Sequence, residues 1–473
     1  MKTGFYPKLA FDGIRKNRRM YVPFICTCIG MVMMFYILSF LGSPETCALL
    51  PRGSNTTGKI LNLGSFVIFV FSAIFLYYTN SFLVRRRERE FGLYNVLGMN
   101  KRNLARIVTW ESLITAVLSL VLGLALGIVL SKLAELGLVN MLGGDINYRI
   151  RIDVDSLTRT LGLYAIIFAV IWLSTVVRVG RSSAVALLRS ESVGEKPPKS
   201  QWLLVIPGLA LLLGAYYIAA TINDPVQAML LFFLAVIMVI LSTYLLFISG
   251  SVTLCKTLQK DEKFYYKKRN FVSLSSLTYR MKRNGAGLAS ICILSTMVLV
   301  MLASTASLYF GAEDAINTLA VQNHWHPTEM ADVRAEFFSL YGSLFFLGIL
   351  LSVLFLFATL LMLYYKQVVE GYEDASRFAI MQRVGMTKRD IRESVNAQML
   401  LIFLLPLAAA ALHLAFAQPM VWQIMQLFGI QNLTLFLGVT GAALLLFALL
   451  YCAMYRLTSN AYFRIVSTGG AAA

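Results

Sequence analysis

Two stretches of the chain resemble each other closely enough to define its organisation. Residues 91–104 read FGLYNVLGMNKRNL, and residues 378–391 read FAIMQRVGMTKRDI. At a constant offset their phenylalanine, glycine, methionine, lysine and arginine positions coincide, so that Gly98 corresponds to Gly385. Each stretch lies between two long apolar runs. The pattern therefore indicates a duplicated unit in which a short polar hairpin joins two consecutive helices.

The composition around these stretches is that of a membrane protein. Hydrophobic residues make up 58% of the 473-residue chain and charged residues 14%, and the mean hydropathy is +0.70. A soluble chain is about 45–50% apolar and about 25% charged. One soluble core cannot bury this much apolar surface, so we expect the lipid bilayer to surround most of the chain.

Ten apolar runs are long enough to cross a bilayer, which takes about 20 residues. The first run is longer than the apolar part of a cleavable signal peptide, so we interpret it as a span. The sequence predicts an all-α polytopic protein with ten transmembrane helices. The predicted spans are 21–41, 61–84, 111–131, 160–177, 202–222, 226–254, 286–310, 336–365, 395–417 and 434–455.

The basic residues predict the orientation of these spans. The net charge is +18, but the lysines and arginines stand in short clusters between apolar runs, which argues against nucleic-acid binding. If the N-terminus is cytoplasmic, 35 of the 42 basic residues fall on the cytoplasmic side. Positive charge concentrates there in membrane proteins. We therefore expect both termini in the cytoplasm.

The repeat divides the predicted spans into two copies and an insert. Spans 1–4 and 7–10 form two parallel four-helix units, because both copies begin on the same side, and spans 5 and 6 lie between them. The predicted divisions are an amphipathic N-terminal helix over 1–20, the first unit over 21–180, a linker with spans 5 and 6 over 181–263, the second unit over 264–466 with a short outer loop at 311–335, and a tail over 467–473.

Each hairpin carries an apolar tip: the first tip is residues 97–99 and the second tip is residues 384–386. An exposed apolar tip is a candidate docking element for a partner, and two related tips suggest a partner with two equivalent sockets. The alternative is an ordinary helical hairpin with basic topology signals. The predicted docking residues are Leu97, Gly98, Met99, Lys101, Arg102, Val384, Gly385, Met386, Lys388 and Arg389.

The sequence predicts no energy source within this chain, no catalytic residue and no metal site. Residues 53–60 resemble a phosphate-binding loop, but Ile60 stands where Ser or Thr would hold magnesium. Membrane carboxylates mark ion coupling. Glu111 is the main candidate, and an interfacial position near the start of span 3 would explain it. His413 is isolated in span 9, and we interpret it as a packed neutral histidine beside Pro406.

Residues 364–386, YYKQVVEGYEDASRFAIMQRVGM, resemble the signature of bacitracin-export-type (BceB-like) permeases, which belong to the FtsX-like, MacB-type class. The segments 14–21 and 279–284 fit the same family. The resemblance covers nearly all of the chain. The signature residues at the cytoplasmic end of span 8 are Tyr365, Lys366, Gln367, Glu370, Tyr372, Glu373, Asp374 and Arg377.

The resemblance implies a function and a set of partners. It implies the bacterial cytoplasmic membrane, a separate ABC ATPase homodimer that binds ATP and Mg, and coupling helices between spans 2 and 3 and between spans 8 and 9. It also implies handling of peptide antibiotics or lipid-linked cell-wall ligands at the outer leaflet, often with a membrane histidine kinase. No cofactor is expected in this chain.

One departure from the family concerns the outer side. Such permeases have a large outer domain between spans 7 and 8, where this chain has only residues 311–335. Either the chain naturally lacks the domain or the domain was removed. Two other functions stay open: a secondary transporter, which the lack of membrane carboxylates disfavours, and a membrane scaffold or sensor for a histidine kinase.

The acidic run at the end of span 8 has two interpretations. Glu370, Glu373 and Asp374 pair with basic residues of a partner or of the neighbouring loop, including Arg377, or they form a solvated patch. Exposed ion pairs contribute little to stability, so the sequence does not decide between them.

Overall fold

The computed structural model describes residues 4–50, 54–144, 148–149, 151–181, 202–261, 268–323, 327–383 and 388–469, and its elements there are helical. The helices are α1 Phe5–Lys16, α2 Arg18–Leu41, α3 Pro44–Cys47, α4 Ser54–Val96, α5 Lys101–Leu142, α6 Val154–Arg181, α7 Trp202–Thr221, α8 Pro225–Leu245, α9 Ser251–Lys260, α10 Lys268–Phe310, α11 Ala312–Asn323, α12 Pro327–Arg383, α13 Lys388–Leu427 and α14 Leu433–Gly469, with a π-helical turn Leu246–Gly250 between α8 and α9.

The ten predicted spans are confirmed. Within the described residues, ten helical stretches are long and apolar enough to cross a membrane. They are Met20–Leu41, Asn55–Val84, Lys101–Leu142, Val154–Arg181, Trp202–Thr221, Pro225–Lys260, Gly285–Phe310, Asp332–Gln367, Phe403–Leu427 and Leu433–Arg456. The chain is an all-α polytopic membrane protein.

Several helices are much longer than a bilayer requires. Helices α4 and α5 have 43 and 42 residues, and α12 has 57. At 1.5 Å per residue, α12 is about 85 Å long, against about 30 Å for the hydrocarbon core. Its only proline is Pro327 at the first position, where a proline does not interrupt helical hydrogen bonding.

The segment 311–335, predicted as a loop, is mostly helical. Helix α11 follows α10 after the single residue Gly311. Helical hydrogen bonding continues across the junction, because the Gly311 N–H donates to Ser307 O at 2.9 Å and the Ala315 N–H donates to Gly311 O at 3.0 Å. Residues 324–326 lie outside the described part of the chain.

The chain divides into two compact units, Met1–Gly194 with Ala335–Leu354 and Glu195–Arg334 with Phe355–Ala473. In the first unit, α2 is the central helix and packs against α4, α5 and α6. Two glycines of α5 let α2 approach closely: a Cβ at Gly123 would lie 2.7 Å from Val32 Cβ, and one at Gly127 would lie 3.1 Å from the Tyr36 ring. Small residues allow such packing between membrane helices.

In the second unit, α10 packs against α13 and α14, while α7 and α8 pack against each other and against α13. His413 of α13 is buried, as expected for a packed histidine, and the structure adds two polar neighbours that the sequence did not indicate. The Tyr216 Oη atom of α7 lies 2.6 Å from His413 Nδ1, and the Thr243 Oγ1 atom of α8 lies 3.2 Å from His413 Nε2. A polar cluster therefore connects spans 5, 6 and 9.

Replacing Tyr216 by phenylalanine is expected to lower the free energy of unfolding by about 0.5–2 kcal/mol, the range for hydrogen bonds between membrane helices. The change leaves His413 Nδ1 without the tyrosine hydroxyl and keeps the ring. Unfolding in detergent micelles measures the effect. The control is Tyr217→Phe, because the neighbouring side chain is 71% exposed and should tolerate the change. Equal effects of the two variants would contradict the prediction.

Candidate coupling site

The first tip is a glycine-terminated helix end. Gly98 has φ +88°, a left-handed conformation that favours glycine. The Gly98 N–H donates to Asn95 O at 3.1 Å, and the Met99 N–H donates to Tyr94 O at 2.9 Å. These two bonds are the usual closure of a helix by a left-handed glycine. Helix α4 therefore ends in a fixed turn, and α5 begins three residues after Gly98.

One apolar side chain of this tip faces outward. Leu97 is 74% exposed and Met99 is half-buried, while Val96 and Leu93, next to the tip on α4, are also exposed. The Lys101 ammonium donates to Gly180 O at 2.9 Å, near the end of α6. A lysine is favourable there, because it satisfies a carbonyl at a helix C-terminus. The first unit thus presents an apolar surface on a turn that is anchored at its base.

A small apolar core lies behind the tip. It holds α4, α5 and α6 together next to the turn, and α4 and α5 are the helices on either side of the tip. Burial of such side chains contributes about 25 cal/mol per Å². The buried members are Val84, Phe91, Leu104, Val108 and Val179, with Tyr94 and Val176 packed against them.

A buried ion pair adjoins this core. Arg87 of α4 is 3% exposed, and its guanidinium contacts the carboxylate of Glu111 of α5. The Tyr21 hydroxyl of α2 accepts from Arg87 Nη1 at 2.6 Å and donates to Glu111 Oε2 at 3.1 Å. The guanidinium also lies over the Phe91 ring, at 4.9 Å. The pair therefore connects three helices.

The N-terminal helix packs onto the same pair. Arg87 Nε contacts Glu90 Oε2 at 3.1 Å. Asn17, between α1 and α2, donates from Nδ2 to Glu90 Oε1 at 3.0 Å and to Gly13 O at 3.2 Å. A Cβ at Gly13 would lie 2.9 Å from Glu111 Oε1. We call Gly13, Asn17, Tyr21, Arg87, Glu90 and Glu111 the Arg87 cluster.

The environment keeps Arg87 charged. Burial opposes the charged form, but the negative charges of Glu111 and Glu90 hold the pKa of Arg87 above its usual value, and the neutral Tyr21 hydroxyl accepts a hydrogen bond from its guanidinium. Glu111 is 4% exposed and contacts Arg87, a partner that the sequence did not indicate, and its interfacial position stays a prediction. The sequence places these residues 24 positions apart, and only the pairing of α4 with α5 could have indicated their contact.

Gly13→Ala is expected to lower the free energy of unfolding by about 1–3 kcal/mol through overpacking. The new methyl group would lie 2.9 Å from Glu111 Oε1 and 3.2 Å from Arg87 Nη2, and both side chains are held by other contacts. Thermal unfolding in detergent measures the change. Gly162→Ala in α6 is the control, since nothing lies within 4 Å of its Cβ position. A stabilised Gly13→Ala protein would contradict the prediction.

The second tip, residues 384–386, lies outside the described residues. Lys388 and Arg389 open α13, but their side chains are not described. Of the signature residues, Tyr365 and Gln367 are buried and Lys366 is half-buried. The side chains of Glu370, Tyr372, Glu373, Asp374 and Arg377, all on α12, are also outside the described part, so the pairing of the acidic run stays a prediction.

Sequence comparison identifies the family. The model of the FtsX-like permease C-terminal family matches residues 62–184 and 337–463, which together are more than half of the chain. The chain belongs to the FtsX-like permease family. Each matched segment contains one of the two tips. With its ten apolar helices, the protein is a multi-pass protein of the cell membrane.

Among known proteins the chain is similar to three permeases of Bacillus subtilis (strain 168), each 26% identical. They are the uncharacterized ABC transporter permease YvcS, the ABC transporter permease protein YxdM and the bacitracin export permease protein BceB. The matches cover 65% of this chain and 47%, 49% and 49% of the relatives. The chain thus spans about half the length of the curated relatives it matches. The resemblance to BceB-like permeases is confirmed.

Proposed function

We propose that this chain is the permease subunit of an ABC transporter, driven by ATP hydrolysis in a separate ATPase homodimer that binds ATP and Mg. The observation that carries the proposal is the first tip, where Leu97 is 74% exposed on a turn closed by Gly98. An apolar side chain on a fixed turn is suited to insertion into a socket of a partner. The family and its ABC-permease relatives support an ATPase as that partner.

The second tip is proposed to dock in the same way. Its sequence repeats the first tip, and a homodimer offers two equivalent sockets to two related tips. In this proposal Met99, Lys101 and Arg102 act with Leu97 in the first tip. Val384, Gly385, Met386, Lys388 and Arg389 take the corresponding places in the second tip.

The ligand is proposed to be an amphiphilic peptide antibiotic or a lipid-linked cell-wall ligand at the outer leaflet. Support comes from the relative named as a bacitracin export permease. A membrane histidine kinase is proposed as a further partner, so that handling and sensing of the ligand are connected. Both proposals rest on the family resemblance.

Co-expression with an ABC ATPase encoded beside this chain tests the main proposal. We expect the two proteins to purify together from detergent extracts and the permease to change the rate of ATP hydrolysis. An ATPase that neither binds the permease nor changes its rate would overturn the proposal. Transport driven by an ion gradient without ATP would favour a secondary transporter, and kinase binding without any nucleotide response would favour a scaffold.

Labelling of a single cysteine tests the proposed orientation. Leu97→Cys should react with a membrane-impermeant thiol reagent only after the cytoplasmic side is opened. Tyr148→Cys, at a side chain that is 77% exposed, should react in intact cells. Labelling of position 97 from outside would place the tip away from any cytoplasmic ATPase and end the docking proposal.

A further inference from the structure

The Arg87–Glu111 pair lies at the same depth on both helices that lead to the first tip. Arg87 is nine residues before the end of α4, and Glu111 is ten residues after the start of α5. At 1.5 Å per residue, both lie about 15 Å behind the tip. The pair therefore fixes the spacing of α4 and α5 at one distance from the tip, with the core residues Phe91, Leu104 and Val108 closer to the tip than the pair is.

The same pair holds two further elements. The hydroxyl of Tyr21 attaches α2, and Asn17 attaches the end of α1 through Glu90. Gly13 brings α1 into direct contact with Glu111. A displacement of α4 and α5 at this level must therefore either move α1 and α2 or break the cluster.

The cluster also contains room for rearrangement. A small cavity of about 30 Å³ adjoins the pair, with Asn80 and Thr175 among its polar lining residues. This volume holds about two water molecules. Within the described part of the chain, Glu111 Oε1 has no hydrogen-bond partner. Glu111 can therefore exchange contacts without opening the apolar core.

The sequence of the second copy does not repeat these residue types. At the offset that aligns the tips, Asp374 corresponds to Arg87, and Arg377 corresponds to Glu90. Gln398 corresponds to Glu111, so the second copy has no carboxylate at that position of its sequence. The two tips are alike in sequence, but the residue types of the Arg87 cluster are those of the first copy.

We propose that Arg87 and Glu111 are positioning residues that transmit movement of the first tip to α1 and α2. A buried ion pair is weak evidence for a role in stability, because apolar residues of similar volume often replace one without loss. Transmission of movement would explain why this ion pair connects α4 and α5 at the same distance from the tip. The inference rests on the proposed function, since an ATPase must move the tip.

The test compares two double variants in complex with the ATPase. Arg87→Met with Glu111→Leu removes both charges and keeps most of the side-chain volume. Lys132→Met with Glu135→Leu is the matched control. That pair is also buried, with Lys132 Nζ 3.0 Å from Glu135 Oε1, but its two residues lie three positions apart on the same helix, α5.

Hydrogen exchange of residues 5–16 and 93–104 is measured with and without ATP and vanadate. In the wild type, nucleotide should change exchange in both segments by at least about fivefold, the lower end of coupling between sites. In the Arg87/Glu111 variant, the tip segment should respond and the α1 segment should not. The control variant should behave as the wild type does. If the pair had only a structural role, its loss would alter hydrogen exchange even without nucleotide. The nucleotide responses of the tip segment and the α1 segment would then change together.

The outcomes separate this inference from the proposed function. If wild-type permease does not bind the ATPase, the proposed function fails. If binding and the tip response persist, and α1 of the Arg87/Glu111 variant responds as in the wild type, only the inference is overturned. If that variant does not fold, Tyr21→Phe replaces it, since it removes only the hydroxyl that attaches α2 to the pair, and exchange is then followed in residues 18–24 of α2. A nucleotide response of residues 18–24 equal to that of the wild type overturns the inference, and a reduced response supports it.

Discussion

Replacing Leu97 and Val384 by aspartate is expected to lower the affinity for the ATPase at least about a hundredfold. An apolar side chain at the centre of an interface contributes about 2–4 kcal/mol when it fills a pocket. Aspartate would lose this contribution and would also carry an unpaired charge into an apolar socket. Leu97 is 74% exposed, so the change should not disturb the isolated permease.

Co-purification and titration of the ATPase measure this effect. Tyr148→Asp is the matched control, because Tyr148 is 77% exposed but lies on the predicted outer side. The single variant Leu97→Asp should show an intermediate loss if the two tips dock independently. Unchanged affinity in the double variant would show that the tips do not dock on the ATPase.

Replacing Glu111 alone by leucine is expected to lower the free energy of unfolding by about 3–5 kcal/mol. The change leaves Arg87 charged, 3% exposed and without its principal carboxylate partner. An arginine cannot escape this cost by losing a proton. Adding Arg87→Met should restore most of the stability, since no charge is then left buried.

A double-mutant cycle in detergent micelles measures this prediction. The coupling between Arg87 and Glu111 should be large, since residues in one network are not additive. Glu88→Leu is a control with weaker burial, because its partner Arg178 has a side chain that is 33% exposed. A loss below about 1 kcal/mol for Glu111→Leu would mean that water reaches the pair.

The spans could be predicted because a helix that crosses the bilayer must be long and apolar. The turn at Gly98 was also predictable, since glycine between an apolar helix end and a polar restart is a common helix stop. The contact of Arg87 with Glu111 could not be predicted, because it depends on how α4 and α5 are aligned. The same is true of His413, whose partners lie about 200 and 170 positions earlier.

The segment 311–335, predicted as an outer loop, shows the opposite limit. Its polar and charged side chains indicate a loop, yet α11 fills about half of the segment. Local composition therefore did not separate helix from loop here. Glu313 and Asp314 in the first turn of α11 favour a helix, because acidic residues stabilise helix N-termini.

The length of helix α12 bears on how far a displacement at one of its ends can be transmitted. Its 57 residues contain no interior proline, so no missing N–H interrupts the backbone hydrogen bonds of the helix. An axial displacement of one end should therefore be carried along the helix as far as Gly342–Ser343, a Gly/Ser pair at which such a helix can bend.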